Sequence, residues 1–205
     1  MLRVRIHYSK TEPLRFTGNL DMQKIWERTL RRAHLPVVYS QGFHPQPKLN
    51  LACPLPLGIT SQAEVIDVWL DCSSLTDTFW PALQTALPPG IEVRSFESID
   101  LNAPALQTQT LAATYTADLR FEVSTHDLSQ RVTRFLSAAQ LLRQRRGKIY
   151  DLRPLVEDLH IETGRLVMRL AARDGATGRP EEVLDQLGIQ PHQARLERVM
   201  LHFMQ

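Results

Sequence analysis

Apolar and polar residues alternate at the start of the chain. Leu2, Val4, Ile6 and Tyr8 interleave with Arg3, Arg5 and His7. A period of two predicts a half-buried strand, here with a basic outer face. The period then lengthens to that of a helix: Met22, Ile25 or Trp26, Thr29 or Leu30, and Ala33 form one apolar stripe. Asn19 is the expected N-cap and Asp21 suits the first turn. Residues 49–57 read as a strand or extended segment, and Pro54 and Pro56 favour an edge position. Ile66, Val68 and Leu70 alternate with Val65, Asp67 and Trp69 as a further strand. Residues 74–87 read as a helix with Pro81 in its middle, ended by Pro88-Pro89-Gly90, and residues 91–99 return as a strand. The order is β-α-β-β-α-β.

Residues 102–110 form a weakly patterned linker, after which the order repeats. Tyr115, Ala117, Leu119, Phe121 and Val123 alternate as a strand. Residues 126–138 form an amphipathic helix with Leu128, Val132, Phe135 and Leu136 inward, capped by Ser124 or Thr125. Residues 159–162 and 166–172 pair around Thr163-Gly164 as a hairpin. Pro180 opens a short helix, Gly188 closes it, and residues 195–203 make the last strand. The expected fold is α+β: two tandem ferredoxin-like (β-α-β-β-α-β) units, residues 1–101 and 111–205. The second carries an insertion at residues 139–156.

Composition changes this picture little; charge changes it more. The chain is 43% hydrophobic and 22% charged. No apolar run approaches the roughly 20 residues that span a bilayer, so no membrane partner is expected. Met1-Leu2-Arg3-Val4-Arg5 lacks the apolar core of a signal peptide, and a reduced cytoplasmic setting follows as the expectation. Cys53 and Cys72 are isolated and the seven histidines lack metal spacing, so no metal or cofactor site is expected. No GxSxG, P-loop or GxGxxG occurs. The net charge is only +2, but the cations cluster. Arg15, Lys24, Arg28, Arg31, Arg32 and Lys48 face only Asp21 and Glu27 within their stretch. Arg131, Arg134, Arg143, Arg145, Arg146, Lys148 and Arg153 face only Asp151. Local basic patches on a near-neutral chain point to an anionic partner.

Two stretches concentrate the candidate chemistry. Lys24, Arg28 and Arg31 share a face of the first helix, which leads into Ser40-Gln41-Gly42-Phe43-His44-Pro45-Gln46-Pro47-Lys48. Gly42, Pro45 and Pro47 restrict this loop, and a stiff loop presents side chains at low ordering cost. Phe43 and His44 can stack on a base; Phe43 can equally plug the core. His44 is a candidate for a catalytic base, and a metal-independent nuclease would need His44, His7 or Tyr39 near a scissile phosphate. In the other stretch, Arg143, Arg145, Arg146 and Lys148 repel one another unless an anion or counter-charges offset them. Asp151 is expected to cap a short helical turn, with Arg153 paired to it or turned toward phosphate. Trp26, Trp69 and Trp80 read as packing residues, and Trp69 also as a stacking platform.

Several of these motifs resemble one family. They are Leu14-Arg15-Phe16, Asn19-Leu20-Asp21, Glu27-Arg28-Thr29-Leu30-Arg31-Arg32-Ala33, Tyr39-Ser40-Gln41-Gly42-Phe43, Pro54-Leu55-Pro56-x-Gly58, Arg146-Gly147-Lys148, Asp151-x-Arg153-Pro154-Leu155-Val156 and Gly178-Arg179-Pro180-x-Glu182-Val183-Leu184. Together they resemble the radical SAM-linked protein family, a domain of unknown function. Two places depart from its pattern: Asn19, where many members have His, and His44-Pro45-Gln46-Pro47, where many have Asn-Pro-His-Pro. The resemblance implies an RNA-linked accessory role beside a cobalamin-binding radical SAM protein. Radical chemistry does not transfer, because the cluster-binding cysteines are absent from this sequence.

Three functional readings follow. The first is a non-catalytic RNA-binding accessory module for RNA processing or modification, using Arg15, Lys24, Arg28, Arg31, Arg32, Phe43, His44, Lys48, Arg143, Arg145, Arg146, Lys148 and Arg153. The second is an RNA-modifying enzyme or a metal-independent endoribonuclease. The third is a protein adaptor for a radical SAM partner. A pseudouridine synthase would need an Asp in the loop after the first helix, and residues 35–50 contain none.

Overall fold

A computed structural model describes residues 1–145 and 147–204. They form two compact units divided between Gln109 and Thr110. Each is mixed α+β, with helices accompanying an antiparallel sheet.

The first unit runs β1 (Leu2–Lys10), α1 (Asn19–Arg32), β2 (Leu49–Leu51), β3 (Thr60–Leu70), α2 (Phe79–Ala86), β4 (Ile91–Ile99) and α3 (Leu106–Gln109). β1 lies between β3 and β4, and β2 pairs with β3; every pairing is antiparallel. Val4 stands opposite Val68 and Ile6 opposite Ile66. These residues form the core with Met22, Trp26 and Leu30 of α1 and Phe79 and Leu83 of α2. Tyr8 meets Trp26 edge-on at 4.9 Å. Trp80 stacks on Phe96 at 5.8 Å, a packing role like that of Trp26.

Four expectations need correction here. The N-cap of α1 is Gly18, with Asn19 the first helical residue. Residues 49–57 form a strand only over Leu49–Leu51. α2 starts at Phe79, which puts Pro81 in its first turn, where a missing N–H leaves no helical bond unmade. The outer face of β1 is not an exposed basic one. Arg3 is 1% exposed, and Asp67, wholly buried, accepts bonds from Arg3 (2.6 and 3.0 Å) and from Arg5 (2.8 and 3.0 Å). Arg3 also donates to the carbonyls of Ala103 and Pro104. The stretch read as a weakly patterned linker therefore folds back over this face, with Leu106 of α3 buried.

The second unit runs β5 (Thr110–Leu119), α4 (Thr125–Ser137), β6 (Leu142–Arg145), β7 (Lys148–Asp151), β8 (Val156–Glu162), β9 (Arg165–Arg173), β10 (Ala176–Thr177), α5 (Pro180–Gln186) and β11 (Ala194–Phe203). Its sheet has the order β8-β9-β5-β11, antiparallel throughout, with β10 folded back on the end of β9. The Ser124 hydroxyl accepts from the Asp127 N–H at 3.0 Å and so caps α4. Thr163 and Gly164 both have positive φ, 48° and 79°, as a two-residue turn between twisted strands requires. The insertion is a separate two-stranded ribbon, β6–β7.

Among the described residues no helix is long and apolar enough to cross a membrane.

Candidate nucleic-acid interface

The Pro-rich loop is a narrow finger built on the end of β3. At its base Val38 donates to the Trp69 carbonyl (2.8 Å), and Trp69 donates to that of Lys48 (3.1 Å). Further out the Lys48 N–H reaches Val38 (2.7 Å) and the Ser40 N–H reaches Gln46 (2.8 Å). The Gln46 N–H also donates to the Ser40 hydroxyl at 2.9 Å. Pro47 is buried beside this ladder and Gly42 takes φ 137° at the tip. The tip side chains have nowhere to pack: Phe43 is fully exposed and His44 is exposed. Phe43 therefore does not plug the core. His44 makes no hydrogen bond among the described residues. At the base, the Lys48 ammonium sits 4.7 Å from the Trp69 ring, and the Arg3 guanidinium lies at the same distance from that ring. Trp69 is buried and already holds two cations, so it does not offer a stacking platform.

The cations of α1 divide into two sets. Arg31 pairs with Glu27 at 2.6 Å, and Arg32 reaches across to the carbonyl of Ala86 at the end of α2. Lys24 and Arg28 are exposed and form no ion pair or side-chain hydrogen bond among the described residues. Arg15 is a fastener: its guanidinium donates to the Gly58 carbonyl at 2.7 Å, while the Gly58 N–H donates to the carbonyl of Arg15 at 3.1 Å.

The insertion brings its cations onto an acidic helix. Arg143 pairs with Asp185. Arg145 pairs bidentately with Glu182 at 2.6 and 3.1 Å and lies 4.7 Å over the Tyr150 ring. The Tyr150 hydroxyl donates to the same Glu182. Burial pushes the Tyr150 hydroxyl above its usual pKa, and its bond to Glu182 adds to the effect. Burial also raises the Glu181 carboxyl. Arg153 donates to the carbonyls of Leu136 (3.2 Å) and Val156 (3.0 Å), while Asp151 accepts from the N–H groups of Leu141 (2.8 Å) and Arg153 (3.0 Å). Lys148 is exposed and forms no ion pair among the described residues; Arg146 lies outside them. The self-repulsion expected of this tract is thus offset within the fold. The counter-charges stand more than thirty residues downstream, where a local charge count does not look. The cluster Glu181, Glu182 and Asp185 on one short helix was the available signal.

Among the described residues no group of three or more His, Cys, Asp or Glu side chains stands close enough to hold a metal ion.

An α+β chain with antiparallel sheets and a stiff exposed finger is the class these features define. Residues 3–180 match the family described as "Uncharacterized protein conserved in bacteria (DUF2344)", and the chain belongs to that family. No curated protein matches it. Among solved structures it is similar to a chain of "Crystal Structure of a Cbf5-Nop10-Gar1 Complex", with a TM-score of 0.49 and 10% identity over 97% of this chain and 48% of that one. This chain therefore spans about half the length of that one. It is also similar to an unknown protein from Galdieria sulphuraria, with a TM-score of 0.29 and 13% identity over 97% of this chain and 98% of that one.

Proposed function

We propose that this chain is a single-stranded RNA-binding module and that its finger is the contact. The observation that carries the reading is Phe43, wholly exposed at the tip of a hydrogen-bonded, proline-stiffened loop. An aromatic ring held in water on a rigid support suits stacking on an unpaired base, since every base has a π-face. Lys24 and Arg28 on α1 supply unpaired cations in the same unit, and Lys48 stands at the finger's base. Each unit is read as a ferredoxin-like plait: the strand orders β2-β3-β1-β4 and β8-β9-β5-β11, all antiparallel, support that reading. The role is accessory, with chemistry on the RNA left to a partner, a radical SAM enzyme being the class that the family resemblance implies. Among the candidate cations, Arg143 and Arg145 hold the insertion in place and contribute little to binding.

The test is fluorescence anisotropy with labelled single-stranded RNA. Phe43→Ala is expected to weaken binding by about 1–3 kcal/mol, the range of one base–aromatic stack. Lys24→Ala with Arg28→Ala weakens it uniformly across sequences. Unchanged affinity in Phe43→Ala overturns the finger as the contact; absence of binding in the unaltered chain overturns the function.

A further inference from the structure

A second surface in the first unit is built differently. Phe16, Leu20 and Leu57 are 75%, 73% and 64% exposed. Phe16 and Leu57 lie where the segment after β1 meets the segment before β3, and Leu20 stands in the adjoining first turn of α1. Phe16 Cε1 lies 3.6 Å from the point where a Cβ on Gly58 would stand, and a Leu57 methyl lies 3.8 Å from the same point on Gly18. Leu20 follows Gly18 by two residues, in the first turn of α1.

The support under these side chains is tied at several points. The Arg15–Gly58 exchange clamps the two segments together. The Lys10 ammonium, 1% exposed, donates to the carbonyls of Thr17 (2.9 Å) and Arg15 (3.3 Å). The Thr11 N–H donates to Gly90 at 2.9 Å, and Leu14 packs so closely over Gly90 that a Cβ there would meet it at 2.6 Å. Three large apolar groups are therefore held in water by a fixed platform. Singly exposed apolar residues need no explanation, whereas a contiguous set on a rigid base marks an interface.

The surroundings state the chemistry of the occupant. Lys24 is one turn of α1 beyond Leu20, about 6 Å along the axis, and Arg28 is about 6 Å further. Both are exposed and unpaired among the described residues. Two of the three apolar groups are leucines, which cannot stack on bases, so this surface suits protein rather than RNA. We propose that this platform docks an amphipathic segment of a partner protein, its apolar face on Phe16, Leu20 and Leu57 and its acidic residues on Lys24 and Arg28. The inference shares Lys24 and Arg28 with the RNA reading but does not rest on it, since its apolar contacts are Phe16, Leu20 and Leu57 and it uses neither Phe43 nor the finger.

The experiment uses the full chain and two labelled helical peptides of identical apolar pattern, leucines at i, i+3, i+4 and i+7. One carries glutamates at its polar positions and the other lysines. The acidic peptide is expected to bind at least tenfold more tightly than the basic one. Leu20→Gln with Leu57→Gln should lower its affinity at least tenfold, and Lys24→Glu with Arg28→Glu should abolish the preference for acid. These four side chains are exposed, so the variants keep the fold, which circular dichroism checks. Phe43→Ala leaves peptide binding unchanged and so separates this surface from the finger. Failure to bind the acidic peptide, equal binding of both peptides, displacement by single-stranded RNA but not by unlabelled peptide, or a wild-type dimer dissociated by Leu20→Gln each overturns the proposal.

Discussion

Asp67 is the residue on which the outer face of β1 and β3 depends. One wholly buried carboxylate accepts from two guanidinium groups, and Arg3 has no water to turn to. Asp67→Ala would leave both cations uncompensated. Breaking a buried pair from one side costs about 3–5 kcal/mol, so chemical denaturation should show a loss of that order. His202 gives a prediction in pH. Burial, helped by Arg169, holds its imidazole below the ordinary value of 6.5, and its Nε2 lies 2.8 Å from the Thr114 hydroxyl. The unfolded chain therefore takes up a proton at higher pH than the folded one. Stability is held above 6.5 and lost as pH falls through the lowered value. Thermal unfolding between pH 5 and 8 should show this fall, and His202→Gln should flatten it.

At the scale of elements, the finger and the insertion exchange the importance their sequences suggest. The insertion carries the denser charge, yet Arg143 and Arg145 spend it on α5. Glu182→Ala should free the ribbon. Loss of its charge-assisted bonds, about 1.5–3 kcal/mol in all, should speed amide exchange over 142–151 at least tenfold while β9 stays protected. Much of the fold was legible because its signals are local. Alternation gave β1 and the second half of β5, which starts earlier, at Thr110, and ends at Leu119 short of Phe121 and Val123; the Ser124 cap began α4, Thr163-Gly164 gave the hairpin, and Pro180 and Gly188 bounded α5. The burial of Arg3, the closure of residues 103–106 over it and the pairing of β6–β7 with α5 were not legible. Each depends on a partner tens of residues away, and no period or composition within a window carries that information. The finger was half legible: its stiffness follows from Gly42, Pro45 and Pro47, whereas the fate of Phe43 depended on what lies around it.

For the molecule as a whole, net charge +2 conceals how many of the described cations are held in ion pairs. If Lys24, Arg28 and Lys48 are the phosphate contacts, log K for single-stranded RNA should fall with log salt at a slope near −2, from about −0.7 per contact. A slope of roughly −5 or steeper in a salt titration would mean that the insertion's cations leave their carboxylates to join in. The same ion pairs reach beyond binding. With Arg143 on Asp185 and Arg145 on Glu182, the ribbon and α5 become one unit of inheritance. A shorter homologue without β6–β7 would be left with an uncompensated acidic helix, so it should also have shed Glu182 and Asp185. Aligned family members should show the two segments gained, lost or charge-reversed together.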